Sequence, residues 1–526
     1  MSLGPVLDWL DSRTGYRAGL SHVLDETLPA GVGWWFVTGS ILLFLLGVQF
    51  ATGVVLTMFY VPTPDHAHES VRYIMDVLPL GRLLRGLHFF GASFIVVAAL
   101  VHMLRVVCFG SYKKPREATW MTGVVLLLLI LAFALSGYLL PWDQKAYWAT
   151  TVTINVARSG PFGELVAGVL RGGEALGSLT LLRWYSAHVF LLPACLVVFV
   201  VSHVYLMRRH GISGPVEPQA GPPLPFHPYQ LARDTLAMAF VFAVLVGAAA
   251  MFPAPLDELA DPSDATYVPR PEWYFLSLFQ LLKYFPGPLE PIATVGIPGL
   301  VVGWLFALPF IDRTAGRRLR DRPLVAAGFA ALGVGVVTLT ALGLRDSPPH
   351  QAPRWTPLAL AGATFVQDAR CTSCHREGGG GGAVKDLRPL RDPEWVRAHV
   401  RDPEMLVPGS RQALEGAMTL GQAHSVVSYM RRLRARTGAL PTVSAQEGVA
   451  ALIVGRYCSS CHMLDGEGSS SAPDLTTVGR TRDAKWLREW ITDPSLVDPA
   501  ASMPAFGAFL SEDELEAVVS HLAARK

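Results

Sequence analysis

Charge is scarce in this chain of 526 residues. Only 16% are Asp, Glu, Lys or Arg, against 51% hydrophobic residues, and the net charge is +2. No acidic or basic field is present to attract nucleic acid, and the balance is that of a membrane protein. Cysteine is also scarce, with six residues, which excludes a disulfide-stapled fold. No Cys-x-His pair or further Cys/His cluster is available to hold an iron–sulfur centre. The N-terminal MSLGPVLDWLDSRTGY lacks the short apolar core and cleavage site of a signal peptide and reads as a surface helix over 1–30.

Long apolar runs are what the chain has instead. Seven segments, near 34–60, 87–109, 120–140, 183–207, 233–252, 292–311 and 324–344, can each cross a bilayer as a helix. Basic clusters follow the second span (Lys113, Lys114, Arg116), the fourth (Arg208, Arg209) and the sixth (Arg313, Arg317, Arg318, Arg320, Arg322). These loops are expected on one side, the cytoplasm, so seven crossings carry the tail to the periplasm of a bacterial inner membrane. Proline-rich breaks at 213–228 and 345–357 divide the chain. The expected fold class is all-α, a transmembrane helical bundle followed by small helical domains. Expected domains are 31–215, 216–345, a linker at 346–357, 358–440 and 441–526.

The tail repeats itself. AGATFVQDARCTSCH resembles EGVAALIVGRYCSSCH, Trp395, Asp402 and Pro403 recur 91 residues later as Trp486, Asp493 and Pro494, and VVSYM at 426–430 echoes VVSHL at 518–522. Each copy contains Cys-x-x-Cys-His: Cys371, Cys374 and His375, then Cys458, Cys461 and His462. Two thiols at this spacing add across haem vinyl groups and the adjacent His ligates the iron, so two covalent haems c are expected. Met503 in SMPAF is the expected second ligand of the later haem. The repeat maps Met503 onto Gln412, so the earlier haem has several candidates. Met418 is the nearest, Met405, His399 and His424 are others, and an open position is a further possibility.

Four histidines sit inside spans. His88 and His102 are fourteen residues apart on the second, His188 and His203 fifteen apart on the fourth. Fourteen residues of helix rise about 21 Å and return to nearly the same face, while fifteen overshoot by roughly 60°. Facing helices of this pattern can clamp two stacked haems b, His88 with His188 and His102 with His203. A lone membrane histidine is often just a polar contact between helices, but matched pairs favour ligation. Gly39 and Gly53 on the first span, and Gly123 and Gly137 on the third, share the fourteen-residue spacing. They would let haem faces approach the backbone, though taken alone such glycines are explained better by small-residue helix packing. Arg85 and Arg105 are candidate propionate partners or interface anchors.

These features resemble the cytochrome b family of quinol:cytochrome oxidoreductases. Residues 30–215 look like the b subunit of the cytochrome b6f complex, in the strings QFATGVVLTMFY, KKPREATWMTGVV, GYLLPWDQKAYWA and RRHGISGP. Residues 227–345 are similar to subunit IV of that complex, with PEWYFLSLFQLLKYFPG, although HPYQLARD looks more like the bc1 version. The tail resembles a tandem dihaem cytochrome c. Val37 stands where the b6 subunit has the cysteine that attaches an extra haem, so that thioether is excluded.

The resemblance implies a quinol site at Pro271, Glu272, Trp273 and Tyr274, lined also by Tyr138, Pro141, Trp142 and Tyr147. Trp and Tyr there could equally form an interfacial aromatic belt. A carboxylate among aromatics can take a proton from a quinol hydroxyl, the role that falls to Glu272. Asp234 matches a proton donor of a second quinone site, and His210 is another candidate there, or a solvated loop residue. The implied partners are a separate Rieske iron–sulfur protein, a soluble cytochrome or terminal oxidase as acceptor, membrane lipid and a second copy in a dimer within a larger complex. The implied activity is proton-translocating electron bifurcation. A membrane-anchored electron conduit without a bifurcating site is the alternative, and a transporter with a cytochrome tail leaves the histidine spacings unexplained.

Overall fold

The structure is a computed structural model. It describes residues 4–526 except 65, 174–175, 218, 258–259, 261–269, 347–356, 368–370, 372–374, 376–392, 402–421, 424, 428, 431–444, 459–460, 465–466, 469–471, 500, 502 and 508. The chain forms two units: Met1–Pro141 with Ala149–Leu256 and Pro271–Pro348, and Trp142–Trp148 with Asp257–Arg270 and Pro349–Lys526.

The first unit contains the seven expected helices, each long and apolar enough to cross a membrane: Thr38–Thr57, Gly81–Cys108, Glu117–Leu139, Ser178–His210, Phe226–Met251, Gly287–Ile311 and Pro323–Asp346. They are called spans one to seven below. Several begin before the apolar run does, because helix continues past the hydrocarbon-length stretch into polar turns. Span two starts at Gly81 rather than near 87, and span four at Ser178 rather than near 183. The N-terminal segment is two short helices, Gly4–Thr14 and Tyr16–Leu24, separated at Gly15, whose positive φ of 63° suits glycine.

Span one packs on span two, three on four, five on two and six on three. Large apolar side chains such as Leu43, Val97, Leu100, Phe190 and Val201 point outward and stay exposed, as lipid requires. Lipid tails are as apolar as leucine, so contact between spans falls to small and polar residues. A Cβ on Gly86 would lie 2.9 Å from the Cβ of Ala249, which brings span five close against span two. Trp120 Nε1 on span three donates to the Leu305 carbonyl on span six at 2.6 Å.

The loops after spans two, four and six meet, as the common side of their basic clusters requires. Lys113 lies 2.9 Å from the Asp312 carboxylate, Arg116 donates to the His210 carbonyl at 2.9 Å, and Arg317 donates to Ser213 Oγ at 2.7 Å and the Gly214 carbonyl at 2.9 Å. Arg322 is fully buried at the centre. It donates to Tyr112 Oη (2.9 Å) and to the carbonyls of Val107 (2.8 Å) and Arg317 (2.8 Å). Tyr112 in turn donates to Asp312. Burial alone would raise the Asp312 carboxyl, but hydrogen bonds from Thr314, Tyr112 and Lys113 outweigh it and hold the group below the ordinary carboxylate range.

In the second unit each tail repeat has its own apolar core. Ala363, Val366, Val426 and Tyr429 form the first. Ile453, Val454, Leu487, Ile491, Leu515, Val518, Val519 and Leu522 form the second. Helix Glu512–Ala523 opens with a capping box between Ser511 and Glu514. A Cβ on Gly448 would lie 2.2 Å from Thr364 Cγ2, so helices Pro357–Gln367 and Ala445–Ile453 of the two repeats touch through glycine.

Arg322→Ala removes the buried cation from Tyr112 and from one side of Asp312, leaves the Val107 and Arg317 carbonyls without that donor, and is expected to cost about 3–5 kcal/mol. Exposed Arg318, paired with Glu217 at 2.8 Å, is expected to cost no more than about 1 kcal/mol when changed to alanine. Thermal unfolding of the detergent-solubilised protein measures both. Because the Asp312 carboxyl is depressed on folding, its contribution is full at neutral pH and fades only as pH falls below about 4.

Candidate haem and quinol sites

Span two carries His88 and His102, and span four carries His188 and His203. The rings of His88 and His188 face each other with centroids 6.3 Å apart, and those of His102 and His203 at 6.5 Å. The pairings are those the spacing implies. The fifteen-residue interval on span four is accommodated by a π-helical turn over Ala187–Leu191, which contains His188. A π turn holds one residue more than an α turn, so it absorbs the extra residue and brings both imidazoles to one face.

Each imidazole meets a hydroxyl from spans one or three. Thr52 Oγ1 lies 3.0 Å from His88 Nδ1, Ser136 Oγ 2.9 Å from His188 Nδ1, Thr38 Oγ1 3.0 Å from His102 Nδ1 and Thr122 Oγ1 3.0 Å from His203 Nδ1. Thr52 donates its own proton to the Val48 carbonyl, Ser136 to that of Ala132 and Thr122 to that of Thr119. Those hydroxyls therefore accept from Nδ1–H, which sets the tautomer and leaves the Nε2 lone pair for a metal.

The glycines follow directly: Gly39, Gly53, Gly123 and Gly137 are the next residues along the chain. A Cβ there would meet the Cε1 atoms of His102, His88, His203 and His188 at 3.6, 3.2, 3.3 and 2.8 Å. The imidazole edge of each of these histidines therefore lies against one of the four glycines. The four hydroxyl residues escaped the sequence reading, although a hydroxyl-glycine dipeptide repeated at fourteen residues was the available signal.

Haem fits this arrangement. Two metal–imidazole bonds of about 2.0 Å and two ring half-widths of about 1.1 Å put centroids roughly 6.2 Å apart across an iron. Arg105 has a buried Nε with no hydrogen-bond partner among the described residues. Its guanidinium lies 4.1 Å from the Phe36 ring centroid, an orphaned donor suited to a propionate. Arg85 donates instead to the carbonyls of Ala254 (2.8 Å) and Pro255 (2.6 Å).

Asp234 on span five is buried. It accepts from Ser40 Oγ and Gln230 Nε2, both at 2.9 Å. Ser40 is turned about 200° from Thr38 on span one, so Asp234 sits at the height of the His102 pair on the opposite flank of that helix. His210 ends span four and is half-buried.

Pro271 and Glu272 lead into the turn Trp273–Phe275 and the helix Leu276–Leu282. Trp273 Nε1 donates to Ser93 Oγ on span two at 3.2 Å, five residues beyond His88. Tyr274 stacks edge-on against Phe275 at 4.9 Å, and Tyr138 lies 6.3 Å from the same ring. Glu272 is half-buried. Burial, reinforced by the Glu272 charge, pushes the Tyr274 phenol well above its ordinary value, so it stays a neutral donor.

In the second unit Trp142 is buried with a strained φ of 50° and meets Tyr147 edge-on at 5.9 Å. The intervening Asp143, unremarked in the sequence, accepts the amides of Ala146 (2.8 Å) and Asp257 (3.0 Å). Burial, with Asp257 nearby, pushes its carboxyl up to about 6.

At the tail motifs the His375 amide donates to the Cys371 carbonyl and the His462 amide to that of Cys458, both at 2.9 Å. His462 Nδ1 lies 2.7 Å from the Pro473 carbonyl, which again frees Nε2. Met503 and Cys458 both pack against the second core. Cys374 and Met418 lie outside the described residues, as do Met405 and His424.

Facing imidazoles at two heights in a membrane bundle define the class, a membrane cytochrome. Comparison with known proteins agrees. Residues 23–211 match the family described as cytochrome b/b6/petB, and residues 259–360 match cytochrome b(C-terminal)/b6/petD. Residues 445–522 match cytochrome c oxidase, cbb3-type, subunit III. A cytochrome bc complex cytochrome b subunit of Chlorobaculum thiosulfatiphilum is 35% identical over 338 residues, 63% of this chain and 76% of its own. Cytochrome b/c1 of Bradyrhizobium diazoefficiens is 34% identical over 66% of this chain and 51% of its own. A solved chain of a hyperthermophilic respiratory Complex III superposes with a TM-score of 0.59 at 29% identity, over 65% of this chain and 92% of its own. The chain belongs to the cytochrome b family of cytochrome bc complexes, with the b6-like and subunit IV-like parts fused and a cytochrome c segment at the C-terminus.

Gly137→Ala forces a methyl into the His188 ring and is expected to cost about 1–3 kcal/mol of haem retention, a loss of roughly 5- to 150-fold. Gly39→Ala, with 3.6 Å available, is expected to retain haem as the parent does. Haem b per covalent haem c, read from reduced-minus-oxidised spectra, separates the two variants.

Proposed function

We propose that this chain is the cytochrome b/c subunit of a proton-translocating quinol:cytochrome c oxidoreductase. The observation that carries the reading is the pair of facing imidazole couples, with the Pro271–Tyr274 segment hydrogen-bonded to the histidine-bearing span two at Ser93. His88 with His188, and His102 with His203, hold two haems b. Cys371, Cys374 and His375 hold one haem c, and Cys458, Cys461, His462 and Met503 hold the other. Bound haem supplies one-electron transfer.

The protein's own residues manage the protons. Glu272 takes a proton from the quinol hydroxyl and releases it to the periplasm. Tyr274, held neutral, donates a hydrogen bond that orients the quinol. Tyr147 and Trp142 keep the roles the family resemblance gives them. Oxidation of a quinol releases two electrons and two protons. One electron leaves to a Rieske iron–sulfur protein on a separate chain, and haem held by His88 with His188 and by His102 with His203 would accept the other. Asp234, supported by Ser40 and Gln230, delivers protons to a quinone reduced near the cytoplasm, with His210 as a second donor. Two turnovers complete that reduction, as a Q cycle requires. Haem held by the two Cys-x-x-Cys-His motifs would supply one-electron transfer between the Rieske protein and a soluble cytochrome or a terminal oxidase. The complex is a dimer in the bacterial inner membrane, with the tail in the periplasm.

Glu272→Gln tests the reading. A positioned general base contributes about 10²- to 10⁴-fold, so quinol:cytochrome c turnover is expected to fall at least about 100-fold while b- and c-type haem absorbance stays at the parental level. Unchanged turnover would remove Glu272 as the proton acceptor and overturn this assignment of the quinol site.

A further inference from the structure

The two tail repeats differ where their second iron ligands belong. The offset of 91 residues that carries Trp395 to Trp486 carries Gln412 to Met503, so the first repeat lacks the methionine. The same offset carries His399 to Trp490. In the second repeat Trp486 and Trp490 stack on successive turns of helix Ala484–Thr492, with centroids 4.8 Å apart and planes 13° apart. In the first, Trp395 and His399 stack on helix Pro393–Arg401 at 4.8 Å and 12°. The helix keeps its geometry while an imidazole replaces an indole.

That imidazole faces the haem-motif histidine. The rings of His375 and His399 are 6.1 Å apart, centroid to centroid, with planes 58° apart. The membrane pairs stand at 6.3 and 6.5 Å with planes 71° and 67° apart. His399 also has a buried Nδ1 that meets no hydrogen-bond partner among the described residues, an orphaned polar atom.

We propose that the haem attached at Cys371–His375 is held by two imidazoles, His375 and His399. The inference rests on the reading of both motifs as haem-attachment sites. Its consequence is an asymmetric tail. A thioether ligand raises the haem potential relative to imidazole, so the first haem is the low-potential partner and the second, with Met503, the high-potential one. Electrons that enter the tail settle on the second haem, from which the soluble acceptor draws them.

The test uses the full-length, haem-loaded protein in detergent. Covalent haem is counted by the alkaline pyridine assay, and thioether-ligated ferric haem by its far-red sulfur-to-iron charge-transfer absorbance, to which the haems b do not contribute. The expected result is one thioether-ligated haem per two covalent haems, and complete loss of that absorbance in Met503→Ala. His399→Ala is expected to keep both covalent haems and convert one to a high-spin ferric signal. Half of the absorbance surviving in Met503→Ala would assign Met418 or Met405 to the first haem and overturn the proposal. So would an unchanged spin state in a folded His399→Ala protein. A count of one covalent haem in the parent would instead remove the attachment reading on which the proposal rests. If His399→Ala does not fold, Met503→Ala still decides.

Discussion

The hydrogen bond between a helix hydroxyl and a histidine Nδ1 is the interaction on which the membrane unit depends. A bilayer core offers no water, so an imidazole there needs a protein partner for its second nitrogen. Thr38, Thr52, Thr122 and Ser136 provide it. Three of these hydroxyls spend their own proton on the helix carbonyl a turn back, so they act as acceptors without a free donor left behind. The glycine that follows each lets the ring come near enough for the bond. Spans one and three thereby orient the imidazoles that spans two and four carry, and a four-helix arrangement follows from a need of each histidine for two neighbours.

Much of this was legible in the sequence, and the reason is physical. Lipid demands long uninterrupted apolar runs, so seven spans stand out from composition alone. Ligand pairs on regular helices recur at whole-turn spacings, which exposed the histidines and glycines. The π turn at Ala187–Leu191 was not legible. A one-residue surplus shows that something must absorb a rotation of roughly 60°, but where it is absorbed depends on packing between helices. Asp143 was hidden for a similar reason. Its carboxylate takes the amide of Asp257, 114 residues away, and nothing local marks a carboxyl whose proton affinity is set by a distant loop. The hydroxyl residues were hidden because serine and threonine are common enough in spans to pass as ordinary helix glue.

The basic loops have two uses. As sequence they set the orientation of the chain. As structure they bind spans two to seven at one end, because Arg317 and Arg322 reach the end of span two and carbonyls and hydroxyls contributed by the loops after spans two, four and six. Arg322 is enclosed entirely, which is tolerable only because each face of its guanidinium finds an acceptor and Asp312 supplies the counter-charge. The b6-like and subunit IV-like parts are therefore joined by hydrogen bonds as well as by the peptide link at 213–228. That makes the basic cluster a structural element whose loss would be felt across the whole bundle.

The tail shows how a duplicated scaffold can diverge in chemistry at little structural cost. Stacking on a tryptophan four residues earlier needs only a flat ring, and indole and imidazole both satisfy it, as the near-identical geometries of Trp486–Trp490 and Trp395–His399 demonstrate. Indole has no lone pair to offer a metal, whereas imidazole has one. One substitution on a preserved helix therefore introduces a ligand while the packing that holds the helix stays as it was. A ligand on a helix is also held more closely than one on a loop, and Met503 lies on a loop between Val497 and Glu512. The copy that gave up the loop methionine can accordingly be ligated from a more rigid position. The two sites can then differ in potential on helices whose stacked rings match.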